Sequence, residues 1–152
     1  MVVTVQVPNE YGWVVLGAGV GSVVCNIVLG GPVMKGRKAL DVPLPNMYAT
    51  PGVHKHANEF NRIQRSHQNY MECLDSYIAM TLLGGLKYPI PCAVGTVFYY
   101  LGSILYQKGY IDPALDVGTA RYKKGGALKW IGFFTSFYST CAFAYQLITA
   151  TK

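Results

Sequence analysis

Charge is scarce in this chain. Of 152 residues, 13 are Lys or Arg and 7 are Asp or Glu, so 13% are charged. A soluble domain carries about twice that share, and a soluble fold is excluded on that ground. The four cysteines, Cys25, Cys73, Cys92 and Cys141, form no CxxC pair and no ligand spacing. They read as small apolar fillers, with no disulfide framework and no zinc site. A basic n-region is missing too: Pro8, Asn9 and Glu10 precede the first apolar run, which is too long for a signal core. That run is expected to serve as its own insertion signal. Internal repeats and low-complexity tracts are absent.

What fills the chain is apolar. Hydrophobic residues make up 51%, and the mean hydropathy is +0.24. Four segments are candidate spans: Tyr11 to Val33, Tyr70 to Leu86, Pro91 to about Tyr106, and Leu128 to Ala150. A span needs about 20 residues, so the second and third must continue beyond their apolar parts. The expectation is an all-α integral membrane four-helix bundle, one domain over residues 1–152.

The basic residues have a pattern. Lys35, Arg37, Lys38, Lys55, Arg62 and Arg65 precede or open the second span, Lys108, Arg121, Lys123 and Lys124 lie between the third and fourth, and Lys129 lies near the start of the fourth. Only Lys87 lies between spans two and three, and Lys152 ends the chain. The positive-inside rule places the first and third loops in the cytosol and both termini on the far side. The net charge of +6 is thus a topology signal, and no nucleic-acid partner is expected.

Two motifs mislead. "GAGVGS" at residues 17–22 resembles a dinucleotide turn, with Asp41 downstream, but it sits inside a span without a βαβ unit. Gly17 and Gly21 read as a GxxxG pair for helix packing. His54 and His56 lie in a Pro- and Gly-broken loop without acidic or thiol partners, and read as solvated loop residues with no metal. Asn58 or Asn61 is the expected cap of the helix that follows.

"FNRIQRSHQNYMECLD", residues 60–75, carries the chemistry. At helical spacing Asn61, Arg62, Arg65, Asn69, Glu72 and Ser76 fall within about 60° of one line. Arg65, Asn69 and Glu72 stand one above another at the mouth of a membrane helix, where charge needs a partner. A structural Arg65–Glu72 pair is the plain reading. On the third helix Tyr99, Ser103, Tyr106 and Tyr110 form a second stripe ending at the same level. With Arg37, Lys38, Arg121, Lys123 and Lys124 nearby, the sequence outlines a cytosol-facing pocket of cations, phenols, an amide and one carboxylate. Such a pocket suits a small zwitterion with two carboxylates and one amine. Glutathione meets that description, and its thiol needs a fixed cation to stabilise the thiolate.

"FNRIQRSHQNYMECL" resembles the second-helix signature of the membrane-associated proteins in eicosanoid and glutathione metabolism (MAPEG), most of all the microsomal glutathione S-transferases of the third type. The resemblance continues in "KGRKALDVPLPNMY", "LLGGLKYP", "LGSILYQKGY" and "GGAL". It implies a four-helix bundle assembled as a homotrimer, with glutathione at subunit interfaces near the cytosolic face. Carried over by position, it implies that Arg37, Arg65, Asn69, Glu72, Tyr106 and Tyr110 hold glutathione. His67, often Gln in relatives, points away from the Arg65 face and would act only across a subunit boundary. Ser103 stands where relatives carry an arginine, and Leu74-Asp75 replaces a proline-containing pair. The third loop aligns in more than one way, so the thiolate-stabilising cation is Arg121, Lys123 or Lys124, with Arg121 favoured because its charge survives desolvation.

The resemblance therefore implies an enzyme that conjugates glutathione to lipophilic electrophiles, with glutathione peroxidase activity on lipid hydroperoxides. The endoplasmic reticulum is the expected membrane and a mitochondrial one the alternative; membrane lipid and a second and third copy of the chain are the expected surroundings. The rival expectations are a non-catalytic lipid-binding member of the fold, or an accessory subunit of a larger membrane complex.

Overall fold

The computed structural model describes residues 4–150, and every regular element among them is helical. Lys152, counted in the charge pattern, lies outside the described residues. Four long helices are present: α1 (Tyr11–Ala39), α2 (Ala57–Gly85), α3 (Pro89–Tyr110) and α5 (Leu128–Thr149), with a short α4 (Val117–Lys123) in the third loop. The two segments that looked short both lengthen. The helix bearing Tyr70 starts at Ala57 and runs 29 residues, and α3 runs 22 residues from Pro89. At about 1.5 Å per residue, 22 residues reach ~33 Å, enough for a bilayer core. α1 and α3 are long and apolar enough to cross a membrane. α2 is long enough, but the Arg- and Asn-rich first half that interests us lowers its hydropathy.

Close approach of α1 and α3 explains the glycine pair in α1. A Cβ on Gly17 would meet Thr96 Oγ1 at 2.6 Å, and one on Gly21 would meet Tyr100 Cε2 at 2.8 Å. Tyr100 Oη then donates to the Gly17 carbonyl at 2.7 Å. This contact lies in a π-helical turn, Leu16–Gly21, whose wider winding leaves such carbonyls available to side chains.

The core is unusually aromatic. Tyr70, Tyr77 and Tyr99 are fully buried with Leu29, Leu74 and Cys25, and Tyr77 stacks on Tyr99 with centroids 3.7 Å apart. Tyr70 Oη donates to the Ser22 carbonyl at 2.9 Å. At the basic end, Gln107 Nε2 donates to Leu29 O at 2.8 Å and Ser66 Oγ at 3.2 Å, which ties α1, α2 and α3 together. Outward faces carry Trp13, Ile27, Val97, Ile131 and Ile148, all exposed, as lipid contact demands. The four cysteines are free.

The cap of α2 differs from expectation. His56 occupies the N-cap without a side-chain bond, and Glu59 supplies negative charge to the first turn. Asn61 instead grips the first loop: its Oδ1 accepts from Ala49 N at 2.8 Å and its Nδ2 donates to Ala49 O at 2.9 Å. Asn61 sits one turn too far into the helix to cap it. The loop folds back over a small apolar cluster of Val42, Ala49, Ala57 and Phe60, bringing Ala49 within its reach. In the same loop His54 Nδ1 accepts from Thr50 N at 3.0 Å, and His56 pairs with Glu59 at 3.6 Å.

Candidate functional site

The α2 stripe forms as its spacing requires. Arg65 Nη1 donates to Glu72 Oε1 at 2.5 Å, and the two side chains are 45% and 43% exposed. Asn69, between them in sequence, turns toward α5 and accepts from Lys129 Nζ at 2.7 Å. On α3, Tyr106 is buried and stacks on Tyr110 at 5.9 Å. The inner part of that stripe is core: Tyr99 is fully buried, and Ser103 Oγ donates to Tyr99 O at 2.7 Å. Only its last two members face the basic end.

Arg121 reaches these tyrosines because α4 packs tightly on the end of α3. A Cβ on Gly109 would meet Ala120 O at 2.2 Å, and one on Gly126 would meet Arg121 O at 2.0 Å. No larger residue fits at either place without moving backbone. Asp116 starts the short helix, its Oδ2 accepting from Thr119 N at 3.1 Å. The Arg121 guanidinium then lies 5.7 Å from the Tyr110 ring centroid and 6.0 Å from that of Tyr122. Its Nε is buried and has no hydrogen-bond partner. Lys124 is committed elsewhere, donating to Asp112 Oδ2 at 2.7 Å. That bond, with help from the Ala114 N–H, holds the Asp112 carboxyl below the usual carboxylate range. Lys123 is exposed.

Arg62, one turn before Arg65, was not among the residues the sequence nominated. Its Nε donates to Tyr110 O at 2.7 Å and its Nη2 to Asp112 O at 2.9 Å and Leu115 O at 3.2 Å. It satisfies carbonyls at the end of α3 and in the third loop that the helix itself cannot. The guanidinium also lies 5.8 Å from the Tyr110 centroid. Membership of the same stripe as Arg65 was the one signal available. Tyr48 was missed as well; its hydroxyl bonds Gln68, which folds the first loop against α2.

Between these groups is a cavity of about 630 Å³ lined by Tyr48, Asn58, Asn61, Arg62, Arg65, Tyr110 and Val117. Asn69, Glu72 and Tyr106 do not line it and lie one to two turns further along their helices. A second cavity of the same volume, between α1 and α3, is lined by Trp13, Leu16, Val20, Val24, Val97 and other apolar residues. No charged residue lines it.

Arg37 is placed apart from the Arg65 cavity. Its Nη1 donates to Asn46 O at 2.6 Å, its guanidinium lies 5.1 Å from the Phe60 centroid, and it lines a different cavity with Gln64 and His67. His67 Nε2 bonds Asn26 Oδ1 at 2.8 Å. Within one chain, then, Arg65 and Tyr110 share a cavity, Arg121 lies over Tyr110, and Arg37 joins neither.

The sequence matches the model of the MAPEG family over residues 15–149. The chain belongs to the MAPEG family. A MAPEG protein is a membrane helix bundle, and with its apolar helices this chain is a membrane protein. The family is largely enzymatic and includes membrane glutathione transferases. Its members typically use glutathione. The residues in this MAPEG chain fit such a ligand: Arg65 is accessible, its Glu72 partner presents a carboxylate beside it, and the buried Arg121 Nε has a donor to give.

Proposed function

We propose that this protein is a membrane glutathione transferase similar to the microsomal enzymes of the third type, acting on lipophilic electrophiles and reducing lipid hydroperoxides. The observation that carries the reading is the unpartnered Nε of Arg121 beside Tyr110, which lines one cavity with Arg62 and Arg65. A buried guanidinium N–H without an acceptor is costly, and an anionic ligand group removes that cost.

Glutathione, when bound, supplies the thiol nucleophile. The protein's part is recognition and charge. Arg65 presents donors to carboxylates, Glu72 accepts from the ammonium, and Tyr110 and Tyr106 offer phenols to the peptide. Arg121 holds the sulfur as thiolate. A Glu72 bonded only by one exposed arginine is free to exchange partners, which suits a ligand-binding group better than a structural pair.

Assembly as a homotrimer is part of the proposal. Arg65, Glu72, Asp75 and Ser76 are exposed on one face of a membrane helix, and charge there requires cover from protein. Arg37 and His67 lie on a different face of the chain, as residues lent to a neighbouring subunit would. The basic first and third loops would face the cytosol, with both termini opposite, and the endoplasmic reticulum is the proposed membrane.

One observation favours a second reading. Ser103, where relatives carry an arginine, spends its hydroxyl on its own helix, as in a relaxed, non-catalytic lipid-binding member or an accessory subunit. Titration of the purified protein with glutathione, followed by turnover with a lipophilic electrophile, separates the two. Saturable binding with conjugation supports the enzyme. Absence of saturable binding overturns it.

A further inference from the structure

Lys129 is the most buried charged residue among the described residues, at 1% exposure. Three features surround its ammonium. Nζ donates to Asn69 Oδ1 at 2.7 Å, and it lies 4.7 Å from the Tyr106 centroid and 5.0 Å from that of Trp130. Among the described residues no carboxylate lies within 4.0 Å of it, since the ion pairs found there are His56–Glu59, Arg65–Glu72 and Lys124–Asp112. An ammonium has three N–H donors, and one neutral amide oxygen satisfies one of them. A buried cation left in this condition is expensive.

The fold puts it there deliberately. A Cβ on Gly102 would meet Lys129 N at 2.0 Å, so α5 rests directly on α3 at this level. The ammonium thus emerges from α5 at the level of Tyr106 on α3 and Asn69 on α2. The amide that receives it belongs to the Arg65–Asn69–Glu72 stripe, and one of the two rings is Tyr106 of the α3 stripe.

The bond also fixes Asn69. Lysine can only donate, so the amide must turn Oδ1 toward α5. Its Nδ2 donors, on the other branch of the amide, are directed away from the ammonium, and Asn69 stands between Arg65 and Glu72 along the helix. The ammonium behind the amide polarises those donors. A donor of that kind discriminates between an anion and its neutral acid.

We propose that Lys129 is a positioning residue of the glutathione site: it holds Asn69 with Nδ2 toward the ligand and backs that donor with uncompensated positive charge, so that the site prefers an anionic sulfur to a neutral thiol. This rests on the glutathione reading above. The ionisable neighbours are Glu72 and Cys73 on α2 and Tyr106 on α3. Glu72 is already bonded to Arg65, so it does not cancel the ammonium outright.

The test uses the full chain in detergent or nanodiscs with saturating glutathione, following thiolate absorbance from pH 5 to 9, with S-methylglutathione affinity measured by calorimetry. Lys129→Met keeps the length and apolar stem. It should raise the bound-thiol midpoint by about one unit, a tenfold loss of thiolate preference, and leave S-methylglutathione affinity within about threefold. Lys129→Arg should restore most of the preference. Asn69→Asp closes an ion pair with Lys129, so it should raise the midpoint likewise while the melting temperature holds or rises. Lys129→Met with the parent's midpoint overturns the inference, as does equal loss of both ligands without a shift. If Lys129→Met does not fold, Asn69→Asp decides: the parent's midpoint in that variant overturns it. A parent protein that fails to bind glutathione at all overturns the functional reading, and this inference with it.

Discussion

Arg65 and Glu72 are bonded at 2.5 Å across two turns of α2, yet both side chains remain nearly half exposed. An exposed pair of this kind contributes at most about 1 kcal/mol to folding. Arg65→Ala should therefore leave thermal stability within that margin. On the functional reading it removes a charge-assisted contact worth about 1.5 to 3 kcal/mol, or about 10- to 150-fold in glutathione affinity. Glu72→Gln should weaken binding with as little effect on the fold. Calorimetric titration beside a melting curve checks both, and parent-like affinity in the two variants would make the stripe structural.

Arg62 has the opposite character. Its three bonds go to backbone carbonyls of residues 110, 112 and 115, so its loss exposes the end of α3 and frees the third loop. Arg62→Ala should destabilise the chain by about 1 to 3 kcal/mol. Hydrogen exchange should quicken across residues 111–123 while α2 stays protected. Unchanged exchange in that segment would refute the anchoring role.

Gly109 and Gly126 test how Arg121 is aimed. The obstacle in each case is backbone, Ala120 O at 2.2 Å and Arg121 O at 2.0 Å, and backbone cannot step aside as a side-chain tip does. Gly109→Ala should displace α4 and cut conjugation at least tenfold, an effect of about 1.4 kcal/mol on the barrier, with the four long helices intact by circular dichroism. Full activity in that variant would show that α4 is not what positions the reactive cation.

Asp112 bears on how any pH profile is read. Its carboxyl is held below the ordinary carboxylate range, chiefly by the Lys124 bond and then by the Ala114 N–H. A depressed value means the stabilisation is present above the unfolded carboxylate value, near 3.9, and is lost only as pH falls through the lower folded one. The Lys124 tether should therefore stay closed from pH 5 to 9. Exchange protection of residues 111–124, corrected for intrinsic rates, should match at pH 5 and pH 8. Loss of protection at pH 5 alone would contradict this.

Much of this arrangement was legible in the residues, and the rest had physical reasons to stay hidden. The helices follow from apolar runs bounded by Pro- and Gly-rich loops, and the Arg65–Asn69–Glu72 stripe follows from helical periodicity alone. Arg62 was not legible as an anchor, because its partners are carbonyls at the end of a helix nearly fifty residues away, and carbonyls leave no mark in a sequence. Arg37 was correctly placed at the end of α1, but the loop it caps returns to collect its donors. Lys129 looked like a charge near the edge of a span. Its burial depends on how closely α5 rests on Gly102, a tertiary fact with no local signal.

The central claim is that this bundle binds glutathione and keeps its sulfur ionised, with Arg121 as the main cation. A free thiol titrates near 8.5. Lowering that to about 6.5 takes ~2.7 kcal/mol, within reach of one guanidinium, since an ion pair at ~4 Å contributes ~4 kcal/mol at an effective dielectric of ~20. Difference absorbance of the thiolate band, recorded with saturating glutathione across pH 5 to 9 for the parent and for Arg121→Ala, measures this directly. The account predicts a parent midpoint well below 8.5, raised toward the free value in the variant while glutathione affinity changes little. A parent that binds glutathione with its thiol titrating as it does in free solution would contradict the account.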